Sequence, residues 1–156
     1  MAKKPAPIAN KSAVLSDAQV RSAIPKIEAR LNEIKALNCS EIAAANDGSE
    51  LDRVAQKANS TLRSIFGENS IEYHENEVSL RPSFAIVALG SDTSIRGNIR
   101  SVERKIREAI TSFSTLIEIL QEQVNGVGDN LNDRVIRSYE GLDLHPEIAR
   151  AASKLY

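Results

Sequence analysis

Nine apolar residues, Ile95, Ile99, Val102, Ile106, Ile110, Phe113, Ile117, Leu120 and Val124, follow one another at spacings of 4, 3, 4, 4, 3, 4, 3 and 4. That period is helical and puts all nine on one face. The helix would hold about 30 residues and span roughly 45 Å. The extra step of four is a stutter, which locally relaxes a heptad seam. A stripe this long cannot face water, so the rest of the chain must supply apolar surfaces to cover it. The candidate caps are Ser91, Asp92 and Thr93, and "NGVGDN" at 125–130 is expected to end the helix.

Two shorter stripes fit that need. Val20, Ile24, Ile27, Leu31 and Ile34 share one face, behind a candidate cap at Ser16. Pro25 lies within this run and lacks a backbone donor, so the firm helix is expected from about 24 to 37. Leu51, Ala55, Ala58, Leu62 and Ile65 form the other stripe, widened by Val54 and Phe66. Ser49 is its candidate cap, and Gly67, which has no Cβ, is placed to stop it. Between them, Ser40 is a candidate cap for one turn, and Asn46-Asp47-Gly48 signals a turn.

The fold class predicted is all-α: a three- or four-helix bundle with one long helix in the C-terminal half and a partly irregular segment at about 68–91. Composition agrees. Aromatic residues make up 4% of the 156, with no Trp, so the core must be Ile, Leu, Val and Ala, which suits packed helices. Residues 1–15 carry Pro5, Pro7 and three lysines without periodicity and are expected to be a flexible tail. The bundle is expected over 16–128, and 129–156 as a linker and the truncated start of a C-terminal domain. No run approaches the ~20 apolar residues of a membrane span, and no signal peptide is legible. With a single cysteine, Cys39, a reducing cytoplasm is the expected setting.

Chemistry is sparse. There is no Walker A pattern and no GxGxxG. One cysteine and two distant histidines are poor material for zinc, so neither a metal nor a cofactor is expected. His74 sits among acids in "EYHENE", where Glu72 or Glu75 could pair with it as an acid–base couple. No nucleophile or oxyanion donor adjoins it, and a solvated connector is the simpler account. Arg96, Arg100, Arg104 and Arg107 fall on one strip of the long helix, with Lys105 beside it. They are candidate anion-binding residues. A net charge of −1 and the lack of interleaved aromatics do not favour nucleic acid.

The last residues, "LHPEIARAASKLY", resemble the opening of the Ymh-type domain of bacterial abortive-infection-like proteins. Leu144, His145, Pro146, Glu147 and Ile148 match its Leu-His-Pro-Glu-Ile entry, and the chain ends before the continuation. A weaker resemblance covers "TLRSIFGENSIEY", 61–73, which is similar to helical regions preceding exchangeable effector modules. The resemblance implies a regulatory or assembly region in a bacterial defence-type protein and assigns no residue a role.

The expected function is therefore non-catalytic: a helical assembly or sensing region that self-associates or docks a C-terminal effector. If the long helix overhangs its partners, Ile110, Phe113, Ile117, Leu120 and Val124 are the candidate contacts. The alternative is a nucleic-acid- or nucleotide-binding module using the arginine strip, and a third is a small hydrolase centred on His74.

Overall fold

A computed structural model describes residues 10–82 and 92–140, with side chains in the last helix described as far as Gly126. The described residues are mostly helical and include no β-strand beyond one isolated bridge, Lys11 to Ser70. Three long helices carry the three stripes: α1 (Asp17–Lys35), α3 (Ser49–Phe66) and α5 (Ile99–Glu140). Two short helices, α2 (Cys39–Ala45) and α4 (Ile71–Asn76), follow α1 and α3 respectively, and a single 3-10 turn, Arg96–Asn98, leads into α5. The all-α class is as the periodicity predicts.

Helix α1 starts earlier than Pro25 suggests. The Ser16 hydroxyl accepts from the Gln19 amide at 3.3 Å, and the Gln19 side chain accepts from the Ser16 amide at 2.8 Å. This reciprocal cap fixes the first turn. Pro25 then lies inside the helix, so the expected start near residue 24 is corrected to Asp17. An internal proline costs about 3 kcal/mol. Full burial of Val20 and near-full burial of Ala23, in the turns before it, oppose that cost.

Cap identities shift by one or two residues elsewhere. Asn38, rather than Ser40, caps α2, its side chain accepting from the Ser40 and Glu41 amides. Ser49 is the first residue of α3 and does not cap it. Asp47 instead accepts from both the amide and the hydroxyl of Ser49 at 2.9 Å. Gly67 ends α3 as expected, with φ 88° and its amide donating to Arg63.

Helix α1 is the central element. Both α3 and α5 pack on it, while direct α3–α5 contact is slight. The wedge between α3 and α5 is closed by α4 and by an extended strap at 77–82. Val78 and Leu80 of the strap point into the core, and Tyr73 of α4 is 3% exposed. The stripes meet there: Ile27, Ile34, Leu51, Leu62, Val102 and Phe113 are wholly buried.

Two further expectations need correction. Helix α5 does not stop at 125–130 but runs through to Glu140, so no helix boundary separates 128 from 129. Glycine costs only about 1 kcal/mol in a helix interior, and the apolar spacing continues in the sequence at Val127, Leu131 and Val135. The end of the supposed tail is also tied down. Lys11 pairs with the 69–71 backbone, its amide donating to Asn69 and its carbonyl accepting from Ile71. The Phe84–Leu89 run and residues 141–156, including the Leu144–Ile148 match and His145, lie outside the described residues.

Candidate functional site

The four arginines were expected to act together, but the structure separates one from the rest. Arg96 is drawn to α2: its Nε donates to the Ala43 carbonyl at 3.2 Å and its Nη2 to the Ala44 carbonyl at 3.0 Å. Its backbone amide donates to the Asn46 side chain at 3.0 Å. Arg96 thus satisfies the carbonyl end of a neighbouring helix, where a cation is favoured, and is not offered to an outside anion. Arg100, Arg104 and Arg107 stay exposed on the outer face of α5. Arg104 lies 3.8 Å from Glu108 across a turn, both side chains more than 60% exposed, a loose pair of little energetic consequence.

The five candidate contact residues lie elsewhere than on an open face. Phe113, Ile117, Leu120 and Val124 are buried in the chain's own core, and Ile110 is packed against it. They point to the same side of α5 as Val102 and Ile106, so covering that stripe is the work of α1 and not of a partner. On the described part of α5 the large apolar side chain that does reach solvent is Ile119, 55% exposed.

The acidic stretch is more than a connector. Glu72 accepts from the Ser12 hydroxyl and from the Ala13 amide, the latter at 2.8 Å, and so clasps the N-terminal segment. Burial pushes the Glu72 carboxyl up, but these two donors and its own backbone amide together outweigh it and leave the group below its ordinary value. Ser70 caps α4 by accepting from the Tyr73 amide. The Tyr73 hydroxyl accepts from Arg63 at 3.1 Å and donates to Glu77 at 3.3 Å. His74 is exposed, and its contact is an edge-to-face approach to the Tyr73 ring. Glu72 is engaged with the N-terminal segment and not with the imidazole.

The strap is fixed at two points that sequence reasoning missed. The Asn59 side chain donates to the Val78 carbonyl at 2.9 Å and accepts from the Val78 amide at 2.7 Å. Arg81 forks onto Asp52 with bonds of 2.7 and 2.6 Å, and holds that carboxyl below its ordinary value. The Arg81 guanidinium lies over Gly48, where an added Cβ would meet it at 3.0 Å. Asn76 bridges onward, its side chain accepting from the Ser112 hydroxyl of α5 at 2.6 Å.

Cys39 is half-buried against the core. Burial, with Glu103 nearby, pushes its thiol up and away from reactivity. The described residues hold no group of three or more metal-ligating side chains. None of their helices is long and apolar enough to cross a membrane. Comparison with known proteins yields no match: no family model matches the chain, no curated protein matches it, and no solved structure matches it.

Proposed function

We propose that the chain is a non-catalytic helical assembly region, acting by self-association or by docking a C-terminal segment of its own protein. One observation carries this reading. Asn59, Glu72, Asn76, Arg81 and Arg96 are engaged in holding elements together, while the outer face of α5, the longest of the described helices, is built of exposed polar residues that the core does not need. Helix α5 has 42 residues against 19 in α1, so its backbone outruns the helix it packs on. The resemblance of 144–156 to a Ymh-type entry adds a bacterial defence-type setting to the same proposal. Sedimentation velocity at about 100 µM protein tests it, with a dimer or larger species expected; strictly monomeric behaviour removes the self-association half. The nucleic-acid alternative is weakened because Arg96 is engaged with α2 and acids share the arginine strip.

A further inference from the structure

The outer face of α5 has an order to its charges. At 3.6 residues per turn, Arg100, Arg104 and Arg107 share a strip with Thr111, Glu118 and Glu122, all within about 40° of Arg100, and with Thr115 at about 60°. All seven are exposed. The strip lies opposite the core face that carries Val102, Ile106, Phe113 and Leu120. It is basic in its first half, small and polar in the middle, and acidic in the second half.

This order does not stabilise the helix that carries it. Arginines in the first turns oppose the positive end of the helix dipole. Arg100 and Arg104 repel across one turn, as do Glu118 and Glu122. Arg104 does meet Glu108, at the strip's edge, but only in a loose exposed pair. Within one chain the arrangement is a cost without a return.

Between two chains it is complementary. Arg100 and Glu122 are each eleven residues from Thr111, and Arg104 and Glu118 are each seven from it. Two α5 helices laid antiparallel about a two-fold axis at Thr111 bring Arg100 opposite Glu122 and Arg104 opposite Glu118. Symmetry repeats both pairs. Thr111 lies on the axis, and Arg107 and Thr115, each four residues from it, fall opposite one another, so a small side chain receives the third arginine. A self-complementary patch of this kind is what an isologous dimer requires.

We propose that this strip is the self-association surface, with a second copy of the chain as its occupant in that antiparallel register. The proposal rests on the assembly reading above and assigns it a face distinct from the buried Phe113–Val124 stripe. Exposed charge pairs contribute orientation and register more than affinity. Ile119, beside Glu118, supplies exposed apolar area at the rim.

The test is sedimentation of the full chain at low ionic strength. Wild type is expected to dimerise and to dissociate as salt is raised. Arg104→Glu and Glu118→Arg are each expected to weaken the dimer about tenfold or more, with unchanged helical circular dichroism. An equimolar mixture of the two variants is expected to regain wild-type association, because each then meets an opposite charge. A wild-type dimer that neither reversal weakens, or reversals that the mixture does not rescue, overturns the strip while leaving self-association standing. A wild type that stays monomeric at about 100 µM overturns both.

Discussion

The side-chain amide of Asn59 closes two hydrogen bonds on the backbone of one residue, Val78, and so does for the strap what a neighbouring strand would do for a sheet edge. Val78 is buried, so its amide and carbonyl have little recourse to water. Asn59→Ala strands both. The expected loss is about 1–3 kcal/mol of stability, read from the urea midpoint. Asn59→Asp keeps the acceptor and loses the donor, and is expected to fall short of wild type as well. A midpoint unchanged in the alanine variant would mean the strap is not held there.

Phe113→Ala tests whether the long stripe is core. Phe113 is fully buried, and its truncation is expected to cost about 3–5 kcal/mol. Ile119→Ala, on the same helix and more than half exposed, is expected to stay within about 0.5 kcal/mol at dilute concentration. Equal effects would contradict the packing of α5 on α1.

Arg96→Ala should act at a distance in sequence. It leaves the Ala43 and Ala44 carbonyls without the guanidinium. The expected cost is about 0.3–1 kcal/mol, concentrated in α2, whose amides should exchange with deuterium faster than those of α3.

Acid should release the N-terminal segment. Glu72 has its carboxyl held below the ordinary value of 4.5 in the fold. A depressed carboxyl contributes stability above its unfolded value and loses it as pH falls through the folded one. The Ser12 and Ala13 contacts are therefore expected to persist at neutral pH and to weaken below about pH 4.5. Chemical shifts of the Ala13 amide would report the release, and Glu72→Gln should make it nearly independent of pH in that range.

The apolar stripes were legible because their period is local. Val20, Ile27 and Ile34, Leu51 and Leu62, and Val102 and Phe113 are all where the spacing puts them. Gly67 stops α3 for the reason its missing Cβ suggests. What escaped was either long-range or a contest between rules. The bonds of Asn59 to Val78, Arg81 to Asp52 and Ser12 to Glu72 join residues 19, 29 and 60 positions apart, and such pairings leave no periodic trace. Pro25 hides the true start of α1 because its missing donor is visible locally, whereas the burial of Val20 that offsets it is tertiary. The outer strip of α5 was half legible: the arginines stood out by type, whereas Glu118 and Glu122, isolated acids within the predicted helix, acquire a partner only when a second copy is laid against them.

Because α1 is the shared floor on which α3 and α5 both rest, the order of synthesis matters. The first helix leaves the ribosome with one greasy face, and α3 arrives soon enough to cover part of it. The remainder must wait until the 99–124 stretch has been made. Over that interval the nascent chain carries a bare flank, which makes it a natural client for holding chaperones and the stage at which aggregation competes most directly with completion of the fold.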